Sequence, residues 1–113
     1  MSARDVLEVV YPSLVTVRLP PECWRFVDEA RSWPALIPLP ADVHALFDAP
    51  PRIETSGPLP EPRFVVQMTR PQAEALQRWL HPLQDDLKHD EARRLKCLLC
   101  ISRVAVAIML SER

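Results

Sequence analysis

Residues 63–81 read RFVVQMTRPQAEALQRWLH, and this stretch decides the fold. Phe64 to Met68 is apolar and rich enough in β-branched and aromatic residues for a short strand. Thr69-Arg70-Pro71-Gln72 then reads as a helix start. Thr69 followed three residues later by Gln72 is the capping-box spacing, in which the hydroxyl accepts from the backbone N–H of Gln72 while the Gln amide reaches back. Pro71 fits a first turn, where its missing N–H has no intrahelical partner to lose. Ala73, Leu76, Trp79 and Leu80 fall on one face of the helix that follows.

An earlier passage, Leu14 to Trp33, follows a looser version of the same grammar. Leu14 to Leu19 alternates as a strand with one wet face, and Pro20-Pro21-Glu22 stops it and opens a helix. Glu22 suits the positive end of that helix dipole. Cys23, Phe26, Val27 and Ala30 repeat at helical spacing and are expected to face the sheet, with Trp24 and Trp33 flanking them. At an offset of fifty residues Val15/Val65 and Pro21/Pro71 match in identity. A duplicated β–α unit and a shared local grammar both fit so short an echo.

Outside these two units the chain is defined by what interrupts it. Residues 2–11 suit either a short helix capped by Ser2 or a strand, Val6 to Tyr11, paired with Leu14 to Leu19. Between Pro34 and Pro62 lie eight of the thirteen prolines. Within that span Ala41 to Phe47 can make about two helical turns. Ala49 to Pro62 reads as polyproline-like extension over the surface, with Ser56-Gly57 as its exposed tip. Pro82 predicts a break at His81-Pro82, because a proline inside a helix costs about 3 kcal/mol. From Leu83 to Arg113 there is no proline or glycine, and one long helix is the simplest reading. Its stripe would run through Leu83, Leu87, Leu95, Leu98 and Leu99. Val104 to Leu110 would also suit a central strand.

Composition limits the function classes. With 113 residues the chain is expected to form one domain, residues 34–62 being its proline-rich connecting segment. A single glycine leaves no glycine-built phosphate loop. The net charge is −1, about −3 over residues 1–56 and +2 over 57–113, so neither half has the basic excess that non-specific nucleic-acid binding requires. Three cysteines and an acidic N-terminal stretch without an apolar run predict a cytoplasmic protein with no disulfide framework. Two lysines against twelve arginines suggest a GC-rich bacterial or phage gene. A membrane span from Cys97 to Leu110 fails on length, at about 21 Å against about 30 Å of hydrocarbon, and Arg103 sits within it.

Few residues offer catalytic chemistry. Cys97-Leu98-Leu99-Cys100 has the CxxC spacing, but Arg93 to Lys96 precede it in helix, so the first thiol lacks the helix N-terminus that lowers a redox thiol's pKa. As a zinc half-site it needs two further ligands, and His89 lies about 12 Å along the helix. His44, His81 and His89 fall in separate elements, with no nucleophile paired to any of them. No catalytic residue, metal ligand or cofactor is therefore expected. Asp85, Asp86, Asp90 and Glu91, followed by Arg93, Arg94 and Lys96, read as a solvated face held by i,i+3 and i,i+4 pairs.

The expected fold is α+β: a sheet of two or three strands packed by at least three helices, with a proline-rich central connection and a long apolar C-terminal helix. A helix apolar on every side needs cover on every side. That predicts a homo-oligomer, most simply a homodimer, formed through Leu98, Ile101, Val104, Ala105, Ile108 and Met109. A non-enzymatic regulator, adaptor or inhibitor is the expected function, with Trp33, Phe47, Arg52 and Ile53 as candidate contacts for a protein partner. Two alternatives stand beside it. Leu14 to Trp33, strand then helix, is similar in outline to a ribbon-helix-helix unit, in which the paired strands of a dimer enter the DNA major groove. That resemblance would make Arg18 a base or phosphate contact. The other alternative is a small thiol or metal protein using Cys97 and Cys100.

Overall fold

The computed structural model describes residues 14–35, 37–55 and 61–111; the element expected over residues 2–11 and the Ser56-Gly57 tip lie outside them. Strand β1 (Val15–Leu19) leads into helix α1 (Pro21–Ala30) and a short helix α2 (Ala41–Leu46). Strands β2 (Arg52–Glu54) and β3 (Arg63–Met68) follow, then helices α3 (Arg70–Asp86) and α4 (Glu91–Ser111). The three strands form an antiparallel sheet in the order β1-β3-β2, so β1 and β2 run parallel with β3 between them. The class is α+β, as the alternating patterns require.

Register explains the two faces of this sheet. Val15 pairs with Met68, Val17 with Val66 and Leu19 with Phe64, which puts these side chains on one face. Val15, Val17, Leu19, Val66 and Met68 are buried in the core there. The opposite face carries Thr16, Arg18, Arg52, Glu54, Arg63 and Gln67, with Val65 buried between its cross-strand neighbours Arg18 and Arg52. Long arginine stems at such positions can shield an apolar neighbour while their heads stay wet.

Both strand–helix junctions form as their sequences predict. Cys23, Phe26, Val27 and Ala30 are the buried stripe of α1. The capping box at Thr69 is complete: its Oγ1 accepts from the Gln72 N–H at 3.3 Å, and Gln72 Oε1 accepts from the Thr69 N–H at 2.9 Å. The Gln72 side-chain amide also donates to Asp42 Oδ2 at 3.1 Å, which ties α3 to α2. Arg31 makes a second tie, donating at 2.8 Å to the His44 carbonyl and pairing with Asp28 and Asp48.

Three expectations are corrected. The run from Ala49 to Pro62 is not wholly extended coil, because Arg52–Glu54 adds to β3 as an edge strand. Local sequence cannot show a ladder whose partner lies ten residues away. The helix does not break at Pro82, which sits inside α3. Leu76, Leu80, Leu83 and Leu87 are all buried, at spacings that only an uninterrupted helix keeps on one side. The reversal comes instead at Leu87 to Asp90. There the backbone closes with turn hydrogen bonds, and Asp90 Oδ1 accepts from the Arg93 N–H at 3.2 Å to start α4. The leucine stripe therefore does not run through, and Val104 to Leu110 is helix.

Candidate functional site

α4 is the element on which the candidate site is built. It packs along β1, across α1 and against α3. Its inward residues are Cys97, Cys100, Val104 and Ala107, all buried. These are small side chains, so the helix lies close to its neighbours. The thiols take part in that contact, with Cys97 donating to the Leu80 carbonyl at 3.4 Å and Cys100 to the Cys23 carbonyl at 3.5 Å.

The outward face of α4 holds large apolar side chains of its own. Leu95, Leu98 and Met109 are 59%, 37% and 67% exposed. With Ser102 and Ala105 between them they recur at intervals of three and four residues, the spacing of a helix–helix seam. Of the six residues expected in self-association, Leu98, Ala105 and Met109 belong to this seam. Ile101 and Ile108 lie at its flank, partly buried against the core. Val104 is fully buried in its own chain and is not part of any exposed surface. Leu95 was missed because a helix continuous from Pro82 would have assigned it to an inward leucine stripe.

The residues expected to meet a partner protein are not brought together. Phe47 is core, packed against Trp24 with ring centroids 6.1 Å apart. Trp33 is half-buried, edge-on to Phe26 at 5.9 Å, and covered by the Arg93 guanidinium 5.2 Å from its ring centre. Arg93 is held there by Glu29 at 3.1 Å. Only Arg52 and Ile53 are exposed, on the edge strand β2.

The CxxC thiols meet an unfavourable setting, whereas their neighbour Cys23 is lowered by its hydrogen bond with Cys100. All three cysteines are free and buried. Burial pushes the Cys97 thiol up to about 11. Contact with Cys23, together with burial, pushes Cys100 up as well. A thiol held protonated and covered is a poor nucleophile. Among the described residues no group of three His, Cys, Asp or Glu is placed to hold a metal ion. His44 is bound to Arg31 through both ring nitrogens, at 3.1 Å and 3.2 Å, which makes it part of the α1–α2 joint.

The ribbon-helix-helix outline also changes meaning. Arg18 lies on a strand paired with β3 of its own chain, and it donates to Glu54 Oε1 at 3.1 Å. Among the described residues no helix is long and apolar enough to cross a membrane. No protein-family model, no curated protein and no solved structure matches the chain.

Proposed function

We propose that the protein is a non-enzymatic interaction module that acts as a homodimer, joined by the outward faces of α4 from two copies. The supporting observation is the seam from Leu95 to Met109, with three large apolar side chains exposed at the spacing of a coiled-coil interface. No charged residue stands on it between Leu95 and Met109. A seam of this kind is completed by a helix of matching spacing, and α4 of a second copy supplies one through an isologous contact. Ser102 and Ala105 allow close approach of the backbones at its middle. Regulation of a partner protein would then use the exposed edge strand at Arg52 and Ile53, where an extended peptide can add to the sheet.

Light scattering after size exclusion tests the reading. At micromolar concentration the particle should have twice the 12.9 kDa chain mass. Leu98→Glu combined with Met109→Glu should halve that mass while leaving the circular dichroism unchanged, since neither residue is in the core. A wild-type particle that stays monomeric at 100 µM (about a hundredfold above a 1 µM dimer constant) would refute it.

A further inference from the structure

A second feature lies beside the seam, toward the end of the same helix. The last turns of α4 pass the polar face of the sheet and leave a cavity of about 360 Å³ between them. The sheet side of the cavity carries Thr16 and Arg18 of β1 and Arg63 of β3, and the α4 side carries Arg103 together with an apolar wall formed by Val106 and Leu110 on the same helix face. Three of the chain's twelve arginines line this one cavity. The single carboxylate in the lining, Glu54, is already engaged by Arg18 at 3.1 Å. Arg63 and Arg103 form no ion pair among the described residues.

The geometry points to a binding site for a small amphiphilic anion: a carboxylate or phosphate head between Arg63, Arg103 and Arg18, and a short apolar body against Val106 and Leu110. The Arg18–Glu54 contact is an internal example of the recognition, a carboxylate oxygen taking a guanidinium N–H. The volume is at the lower end of small-ligand pockets, enough for one such molecule. A polyanion such as a nucleic acid is disfavoured, because it needs an extended basic surface and this cavity is a local concentration of charge. The apolar wall sets the ligand apart from a bare inorganic anion, which would leave Val106 and Leu110 facing water.

The test is isothermal titration of the full chain with octanoate, octyl phosphate, octanol and inorganic phosphate. Octanoate or octyl phosphate should bind at least tenfold more tightly than both octanol and inorganic phosphate, and whichever of the two binds better identifies the head group. Arg63→Gln and Arg103→Gln should each weaken that binding at least tenfold, with melting temperature unchanged. Arg78→Gln, a like substitution on α3 away from the cavity, should leave it as in the wild type. Leu110→Ser should weaken octanoate but not inorganic phosphate. Equal affinity for octanol and octanoate, equal affinity for inorganic phosphate and octyl phosphate, or arginine variants that bind as the wild type does would each overturn the proposal.

Discussion

α3 and α4 are consecutive helices packed against each other, yet they differ in what they leave outside. α3 turns Leu76, Trp79, Leu80 and Leu83 inward and leaves residues such as Arg78, His81 and Asp85 outside. α4 turns Cys97, Cys100, Val104 and Ala107 inward and leaves Leu95, Leu98 and Met109 outside. The first helix is explained by its own chain. The second is only partly explained by its own chain, because these large apolar side chains are still in water while Leu99, Ile101 and Ile108 are only partly buried against the core. What α4 lacks inside is what a second molecule can supply outside.

The contrast can be broken at its strongest point first. Trp79→Ala should cost about 3–5 kcal/mol in denaturant unfolding, because the ring is fully buried and the site cannot collapse around its loss. Cys100→Ala, equally buried on α4, should cost no more than about 1 kcal/mol, since little volume is removed. If the two losses are alike, α4 is as deeply committed to the core as α3.

Next in size is the seam. Leu98→Glu with Met109→Glu should raise the dimer dissociation constant at least thirtyfold, about 2 kcal/mol, read by analytical ultracentrifugation. The dependence of the wild-type melting temperature on protein concentration should vanish in the same variant.

A third prediction concerns the thiols under α4. Burial holds the folded-state pKa of Cys97 above the ordinary thiol value, at about 11, so the folded protein holds this proton more tightly than the unfolded chain. Its contribution is fully present below pH 9 and is lost as the pH rises to about 11, on the order of 2 kcal/mol in all. Cys97→Ala should show a shallower alkaline loss over that window. A profile identical to the wild type would mean that the buried thiol does not contribute to it.

The smallest effects belong to the helix starts. Thr69→Ala removes the acceptor for the Gln72 N–H and should cost about 1 kcal/mol, measured by thermal unfolding. Arg93→Ala at the start of α4 leaves the backbone N–H that Asp90 caps in place and should cost less, through loss of the exposed side-chain contacts with Trp33, Glu29 and Asp90.

These residues also show how far the fold was legible. The capping box at Thr69, the stripes of α1 and α3 and the prolines at both helix starts are local signals, complete within four to eight residues. Each forms as its spacing predicts. The turn at Leu87 to Asp90 was not legible, because Asp90 is followed three residues later by Arg93, so no capping box announces it. Pro82 gave a false stop, since burial of Leu83 and Leu87 outweighs the lost hydrogen bond. The candidate seam was half legible. Its apolar content was plain, but which of its residues faced out depended on where the helix began.

The sequence by itself determined the α+β class and two strand–helix junctions with their inward stripes. Only the tertiary structure decided that Arg52–Glu54 joins the sheet and that Val104 belongs to the core. It alone gathered Arg18, Arg63 and Arg103, from three separate elements, around one cavity. The physical reason is range. Caps, propensities and helical periodicity act over a turn or two of chain, whereas strand pairing, helix orientation and converging charge join residues up to 85 positions apart, as Arg18 and Arg103 are, and are settled by packing alone.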